Sequence, residues 1–369
     1  MGQILIVGAG LTGAALARTL AEAGQRITII DERDHVAGHC HTRRDQGTGI
    51  MVHLHGAHIF HTDNERVWNF VNRFASFQPY RHRVKTTSQG RVYSLPVNLL
   101  TINQFFGQAL KPAEAAEFIA GLADRALTNP QNFEEQALAL VGDDLYRAFF
   151  YGYTKKQWGR EPGELPASIL KRLPLRFNYD DDYFSHPHQG IPAQGYTAMA
   201  ENMLDHPGIT VQLEVAFDHR MKADFDHVFY SGPLDRYFDC QFGRLPYRAV
   251  DFEWFTAPGD YQGCAVMNYA DQEIPYTRII EHKHFSPWET NEATICAREF
   301  SRECRENDQP CYPVRFAGDN ALLEKYLALA RAENKVAFVG RLGRFQYLDM
   351  DAAIGEALRL GERFGHLAA

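Results

Sequence analysis

Apolar and small residues at the start of the chain follow a strand–helix–strand order. Gln3–Val7 is a short apolar run, which predicts a buried strand. Leu11–Ala23 is rich in Ala and Leu and ends before Gly24, as a helix with a glycine C-cap does. Arg26–Ile30 is a second apolar run. The segment has the size of a βαβ unit, about 30 residues.

The remaining apolar spacing predicts further helices and strands. Helical spacing recurs at 65–76, 100–128 and 133–153. Strand-like runs follow at 208–217, at 226–230 and repeatedly between 245 and 300, where aromatic and β-branched residues indicate an antiparallel sheet. The chain closes with a helix at Asp319–Ala332 (N-cap Asp319), a strand at Lys335–Val339 and a helix from about Asp351 to Phe364.

Composition narrows the possible classes of protein. The 369 residues carry a formal charge of −8, which is not typical of a nucleic-acid-binding protein. No apolar stretch reaches the roughly 18 residues that span a bilayer, and the N-terminus lacks the cationic lead of a signal peptide. The six cysteines form no CxxC pair and are expected to be free thiols. We expect a cytoplasmic protein with no nucleic-acid or membrane partner.

The turn after the first strand carries a dinucleotide-binding motif. Gly8, Gly10 and Gly13 form GxGxxG, in which the glycines permit the tight turn, the approach of a pyrophosphate and close helix–strand packing. The phosphates are expected at the helix N-terminus, where N–H groups and the helix dipole favour anions. Asp31 follows the second strand, where an acid binds the ribose hydroxyls, and Glu32 is the adjacent alternative.

The GxGxxG motif does not distinguish FAD from NAD, but two further turns favour FAD. A turn of small residues, His35-Val36-Ala37-Gly38, follows the acid. The late strand ends at Val339-Gly340-Arg341 and supplies a second helix terminus for the flavin. We therefore predict bound FAD.

Several further segments, in order and spacing, resemble the prokaryotic UDP-galactopyranose mutases over essentially the whole chain. They are AHIFHT at 57–62, GYTKKQWGR at 152–160, KRLP at 171–174, QGIP at 189–192, PYTRIIEHKH at 275–284 and YPV at 312–314. The resemblance implies a redox-neutral reaction that interconverts UDP-galactopyranose and UDP-galactofuranose. In that reaction N5 of reduced FAD attacks the anomeric carbon, UDP leaves, and the flavin–sugar adduct allows the sugar ring to open and reclose. It also implies a homodimer.

The resemblance assigns substrate contacts to residues of this chain. Arg172 and Arg278 match two arginines that hold the diphosphate and support catalysis, because guanidinium groups suit phosphate oxygens. Further positions complete the substrate site: Tyr183, Tyr312 and Tyr347 at the diphosphate, Tyr153 and Trp158 at the uracil, Phe149, Phe150 and Thr154 beside them, and Asn268 and His82 towards the sugar.

It also assigns the flavin site. His58 and His61 match catalytic positions beside the isoalloxazine. With the motif residues, the predicted cofactor contacts are Gly8, Gly10, Leu11, Thr12, Gly13, Asp31, Glu32, Gly38, His39, His58, Gly340, Arg341, Tyr347, Asp349 and Met350. Asp349 has a second interpretation as a helix N-cap. The spacing of His53, His55, His58 and His61 matches no zinc finger or helical HExxH, so no metal site is expected.

The chain departs from the family pattern at five positions. His39 stands where the family usually has Asn, Ala37 and Val339 where it has Gly, and Leu348 where it has Tyr. His82 replaces an Asn near the sugar, which leaves open a mutase for a related nucleotide sugar such as UDP-N-acetylgalactosamine. The sequence is also compatible with an amine-oxidase-like flavin oxidoreductase and with a non-catalytic FAD-binding protein.

The fold class implied is α/β, with a Rossmann-like FAD-binding domain assembled discontinuously, a helical insert and an antiparallel β-sheet domain. We place the FAD domain at 1–80, 190–238 and 312–369, the insert at 98–175, and the sheet domain at 81–97, 176–189 and 239–311.

Overall fold

The computed structural model describes residues 2–172, 175–316 and 320–368. The strands are β1 Gln3–Val7, β2 Arg26–Asp31, β3 Thr42–Arg44, β4 Met51–His53, β5 Phe60–Thr62, β6 Phe77–Pro79, β7 Val84–Ser88, β8 Arg91–Leu95, β9 His188–Pro192, β10 Ile209–Leu213, β11 His227–Tyr230, β12 Tyr247–Pro258, β13 Val266–Tyr269, β14 Arg278–Glu281, β15 Ala293–Glu303, β16 Tyr312–Pro313 and β17 Val336–Phe338. The helices are α1 Leu11–Glu22, α2 Glu65–Val71, α3 Leu99–Phe106, α4 Pro112–Leu122, α5 Phe133–Leu145, α6 Gly152–Trp158, α7 Gly195–Leu204, α8 Leu234–Tyr237, α9 Ala321–Ala332, α10 Gly340–Gly343 and α11 Met350–Ala368.

A five-stranded parallel sheet joins strands from early and late parts of the chain. Its order is β10-β2-β1-β11-β17, so the strands of the predicted βαβ unit share a sheet with the strand that begins at Val336. Helix α1 packs against α7 and α11. The apolar strand residues Ile4 and Ile6 and the helix residues Leu16 and Leu20 are fully buried between these layers. The predicted α/β class with a Rossmann-like domain is confirmed.

A second, seven-stranded sheet has the order β16-β12-β15-β14-β13-β7-β8. The predicted antiparallel pairing holds for the long β12–β15 ribbon and for β14. One pair differs, because β13 runs parallel to β7. Parallel neighbours need a long connection, and the helical insert and several strands lie in the chain between Ser88 and Val266 and supply it.

The helical insert differs from the predicted pattern at two points. The expected helix at 100–128 is two helices, α3 and α4. Gly107 adopts φ 63° as a C-cap of α3, and Pro112 begins α4 because proline disfavours helix at the preceding residue. The predicted helix at 133–153 is kinked at Gly142, which has φ 77° and ψ 175°, and then continues through a π-helical turn at Tyr146–Tyr151 into α6.

Two smaller outcomes complete the comparison with the sequence pattern. The strand predicted at 208–217 is shorter, at Ile209–Leu213. The predicted N-cap Asp319 lies outside the described residues. Within the described ranges no helix combines the length and the apolar content needed to cross a bilayer.

Candidate functional site

The carboxyl ends of the parallel strands form a glycine-lined cradle, as the position of ligands in open α/β sheets predicts. Gly8 follows β1 with φ 102°, and a Cβ there would lie 2.1 Å from Oγ of Ser231. A Cβ on Gly13 would lie 2.0 Å from the Gly8 carbonyl oxygen. No larger residue fits at either position without moving its neighbours. A cradle of this kind, opening on the N-terminus of α1, fits the pyrophosphate of FAD.

The two predicted ribose acids occupy different environments. The Asp31 carboxylate is buried, and it accepts the backbone N–H of Ala9 at 2.8 Å and that of Arg33 at 3.0 Å. Glu32 is half exposed, 3.9 Å from a guanidinium nitrogen of Arg236. Asp31 therefore fixes the glycine turn, and Glu32 stands at the rim of the adjoining cavity.

The turn at 35–38 packs against the glycine turn that follows β1. Ala37 has φ 70° and forms a bridge with Gly10, and Cα of Gly10 would lie 3.2 Å from a Cβ on Gly38. The opening between these turns and the start of α11 is lined by most of the predicted cofactor contacts. They are Gly8, Gly10, Leu11, Thr12, Asp31, Gly38, His39, His58, Gly340, Arg341, Asp349 and Met350.

A polar cavity continues from this opening and ends against the seven-stranded sheet. Twelve residues predicted from the sequence line it: His58, His61, His82, Tyr153, Tyr183, Asn268, Arg278, Tyr312, Arg341, Tyr347, Asp349 and Met350. They come from segments that are far apart in the chain, so the fold brings the substrate and cofactor predictions together.

Four of the remaining predicted substrate contacts, Phe149, Phe150, Thr154 and Trp158, are not part of this cavity lining. Phe149 is buried, with its ring centre 5.1 Å from that of Tyr93 and 5.4 Å from that of Phe105. Phe150 and Thr154 are also buried. Trp158 packs against the same core at the end of α6. The side chain of Arg172 lies outside the described residues. The roles assigned to these five stay predictions.

Arg278 is the main cation of the cavity. Its Nε donates to Oε2 of Glu299 at 2.8 Å, and Oγ1 of Thr277 donates to the other carboxylate oxygen at 3.0 Å. Burial by itself would lower the pKa of Arg278, but the Glu299 carboxylate holds it above its ordinary value. The guanidinium is thus permanently charged and anchored through one nitrogen.

A second cation closes the same cavity. Arg341 donates from Nε and Nη2 to the carbonyl of Leu348, at 3.2 and 2.6 Å. Its guanidinium carbon lies 4.8 Å from the ring centre of Tyr347 and 5.5 Å from that of Tyr312. The two tyrosine rings stack at 5.9 Å. These contacts preorganise donors for an anion.

The histidines beside the cavity are uncharged at neutral pH. Burial lowers the pKa of both His58 and His82 to about 3. Nδ1 of His61 lies 2.8 Å from Nδ1 of His186, and burial also lowers the pKa of His61. Neutral imidazoles offer one donor and one acceptor each, which suits sugar hydroxyls and flavin edges.

Three polar residues near the site were not predicted from the sequence. Glu299 is an acid in the middle of β15 that is 1% exposed, and His186 pairs with His61. Lys156 reaches from α6 to the turn between β13 and β14. A charged residue inside an apolar strand was the available signal for Glu299. Lys156 lies in the segment 152–160 that carries the family resemblance, but no role was assigned to it, and no local pattern marked His186. The partners of both residues belong to distant segments of the chain.

Comparisons with known proteins give a consistent picture. The family profile described as "UDP-galactopyranose mutase" matches residues 148–347, and an NAD(P)-binding Rossmann-like profile matches residues 6–74. A probable UDP-galactopyranose mutase from Klebsiella pneumoniae is 57% identical over 98% of this chain and 94% of that protein. A dTDP-fucopyranose mutase from Escherichia coli is 50% identical over 99% of this chain and 98% of its own.

Solved structures add the fold. A crystal structure of reduced UDP-galactopyranose mutase superposes with a TM-score of 0.79, at 15% identity, over 100% of this chain and 96% of that chain. A putrescine oxidase superposes less closely, with a TM-score of 0.59 at 13% identity, over 100% of this chain and 99% of that chain.

Proposed function

Because this chain belongs to the UDP-galactopyranose mutase family of flavoenzymes, we propose that it interconverts UDP-galactopyranose and UDP-galactofuranose and requires reduced FAD. The observation that carries the proposal is the cavity itself. A half-buried, permanently charged Arg278 and the Arg341–tyrosine cluster stand beside the glycine cradle that fits a dinucleotide. An oxidase of small amines has no need for a cationic cavity of this kind.

The residues of the cavity bind and orient the nucleotide sugar. Arg278 would hold the diphosphate, whose charge grows as it leaves the anomeric carbon, and Tyr312 and Tyr347 would donate further hydrogen bonds. When bound and reduced, FAD would supply the nucleophile that displaces the diphosphate. No net electron transfer is required.

Two buried polar atoms at the cavity wall support a hydroxyl-rich sugar. Among the described residues, Nδ1 of His82 and Oδ1 of Asn268 have no hydrogen-bond partner. Asn268 is the cross-strand neighbour of Arg278, which places it next to the proposed diphosphate. A buried polar group without a partner costs about 1–3 kcal/mol, so a ligand that satisfies it gains selectivity.

Similarity to the dTDP-fucopyranose mutase supports a second candidate, a 6-deoxy sugar on a thymidine nucleotide. The identity to the probable UDP-galactopyranose mutase, 57%, is higher than the 50% to the dTDP-fucopyranose mutase, so we favour the galactose substrate. UDP-N-acetylgalactosamine is the third candidate, because His82 departs from the residue usual in the family.

The test compares reduced and oxidised enzyme with each nucleotide sugar. Dithionite-reduced protein is expected to convert UDP-galactofuranose to UDP-galactopyranose, seen as two resolved peaks in chromatography, while the oxidised protein is nearly inert. The dTDP-fucose and UDP-N-acetylgalactosamine pairs are run in parallel and in competition. Absence of ring-form exchange with every sugar under reducing conditions contradicts the proposal. Flavin reduction by an amine without nucleotide would favour the oxidoreductase.

We also propose that the enzyme works in the cytoplasm as a homodimer. All six cysteines are free thiols, which suits a reducing compartment. The half-exposed apolar side chains of Val92 and Leu100, on neighbouring elements of the sheet and insert, offer surface for a second copy. Light scattering of the purified flavoprotein tests the dimer, and a monomer at micromolar concentration would contradict it.

A further inference from the structure

Lys156 lies in a cage of four backbone carbonyl groups. Its Nζ lies within hydrogen-bond distance of four oxygens, those of Tyr269 at 2.7 Å, Asp271 at 2.8 Å, Ile274 at 2.9 Å and Tyr276 at 3.1 Å. The three N–H groups of the ammonium are therefore shared among four acceptors. All four belong to the end of β13 and the turn that leads to β14. Rings of carbonyl oxygens are typical ligands of a monovalent cation, and here the lysine ammonium supplies that charge.

The caged turn joins the two strands that carry substrate residues. Asn268 lies near the end of β13 and Arg278 begins β14, and the two are partners across the pair. The backbone N–H of Tyr269 also donates to the Thr277 carbonyl. The path of this turn therefore sets where Asn268 and Arg278 stand in the cavity.

Helix α6, which carries Lys156, is fixed independently against the same sheet. Arg248 on β12 donates to the carbonyls of Lys156 and Gln157, at 3.3 and 3.1 Å, and Oγ of Ser301 donates to the Gln157 carbonyl at 2.6 Å. At the other end of α6, a Cβ on Gly152 would lie 2.2 Å from the carbonyl oxygen of Ala270. The helix thus has no freedom to follow a shifted turn.

The same helix presents Tyr153 to the cavity, one turn before Lys156. The Lys156 side chain consequently links Tyr153, proposed to contact the nucleobase, to the β13–β14 pair proposed to bind the diphosphate and sugar. Burial lowers the pKa of Lys156 to about 8, and four acceptors favour the protonated form, so the amine is charged at neutral pH.

We propose that Lys156 is a positioning residue that fixes Asn268 and Arg278 relative to Tyr153 through its carbonyl cage, and so sets the affinity of the site for a nucleoside diphosphate. The inference rests on the proposed function. Without the ammonium, four partly buried carbonyls lose their shared donor, and the turn must rearrange to reach water or other partners.

The first test compares Lys156→Met with Lys155→Met. Lys155 lies on the same helix, is partly exposed and pairs with Glu161, so its replacement is the matched control. The dissociation constant for UDP is measured by calorimetry on the flavoprotein. We expect it to rise about 10-fold or more for K156M, which is the scale of a charge-assisted hydrogen bond, and less than about 2-fold for K155M. Flavin content should stay at the wild-type level in both. An unchanged UDP affinity in K156M overturns the inference.

A double-mutant cycle with Arg278→Ala separates positioning from a general loss of stability. R278A raises the dissociation constant for UDP by some factor in the wild type. If Lys156 places Arg278, that factor should be at least about 3-fold smaller in the K156M background, since the effects of coupled residues are not additive. Equal losses in both backgrounds overturn the proposal. If K156M yields no folded flavoprotein, the same cycle is run with Lys156→Arg, whose charge can still reach some of the carbonyls, and the same criterion applies.

Chemical rescue gives a third readout, which tests whether the cage needs a cation. In Lys156→Ala the missing atoms correspond to n-propylammonium, which should restore UDP affinity at least about 3-fold, while the uncharged n-propanol should not. Equal effects of the two additives overturn the need for a cation. Wild-type protein that binds no UDP overturns the proposed function as well, whereas wild-type binding with an unaffected K156M overturns this inference alone.

Discussion

Replacing Glu299 by Gln removes one negative charge from the cavity while preserving shape. The Glu299 side chain is 1% exposed and accepts from Nε of Arg278 and from Oγ1 of Thr277. The glutamine side chain of E299Q has the same shape, but only one oxygen, uncharged, can accept hydrogen bonds from Arg278 and Thr277. The change therefore isolates what the carboxylate does for the guanidinium.

Two effects of E299Q oppose each other. Loss of the carboxylate leaves more uncompensated positive charge on Arg278, which by itself attracts the diphosphate more strongly. Loss of a charge-assisted hydrogen bond, worth about 1.5–3 kcal/mol, releases the guanidinium to rotate away from the cavity. We expect orientation to dominate, because a bidentate fork binds phosphate oxygens only in one plane. The expected result is a fall of about 10-fold or more in kcat/KM.

The assay measures kcat/KM of reduced enzyme and, separately, the affinities for UDP and uridine. UDP binding should weaken, whereas uridine, which lacks the phosphates, should bind as to the wild type. Glu253→Gln is the control. Glu253 on β12 pairs with Arg298 on β15 at 2.6 Å, so the change also breaks a cross-strand ion pair, but Glu253 lies outside the cavity lining. Tighter UDP binding by E299Q would refute the reasoning and show that Glu299 only neutralises charge.

Three further predictions follow from the same structure. Arg278→Ala should remove about 2–4 kcal/mol of transition-state stabilisation, a roughly 30- to 1,000-fold fall in kcat/KM of the reduced enzyme, and near-wild-type turnover would contradict its assignment. Gly13→Ala would place a Cβ 2.0 Å from the Gly8 carbonyl oxygen and should abolish flavin retention. The measurement is the visible flavin absorbance relative to the protein absorbance, and full retention would contradict the tight cradle. Acidification should destabilise the fold: His82 and His282 have pKa values lowered to about 3, so stability is complete above the unfolded-state pKa of about 6.5 and falls as the pH drops towards 3. For each histidine we expect the free energy of unfolding, measured with urea, to fall by about 2 kcal/mol between pH 7 and pH 5. Equal stability at the two pH values would contradict this.

The local parts of the fold follow from local sequence. The βαβ unit is defined by apolar strands and glycines between Gln3 and Asp31, because tight turns and close helix–strand packing tolerate no larger side chain there. The antiparallel ribbon at 245–300 follows from its β-branched and aromatic content. The division of the 100–128 helix could also be found from Pro112, whose effect on the preceding residue is a local one.

The cavity was accessible to sequence analysis only through resemblance. Twelve matched positions do converge, yet no periodicity links His58 to Arg278 or Tyr347. Phe149 packs against Tyr93 of β8 and Phe105 of α3, and its assignment to the uracil pocket stays a prediction. Whether an aromatic residue lines a site or fills a core depends on which elements pack around it.

The amino-acid sequence alone therefore determined the dinucleotide cradle, the α/β class and the family, since these depend on short-range sterics and on motifs kept in order. Only the tertiary structure decided which charges meet. The Arg278–Glu299 pair joins two strands, and the Lys156 cage joins a helix to a turn from a distant part of the chain. Such contacts depend on burial and on the register between distant segments, which local sequence does not specify.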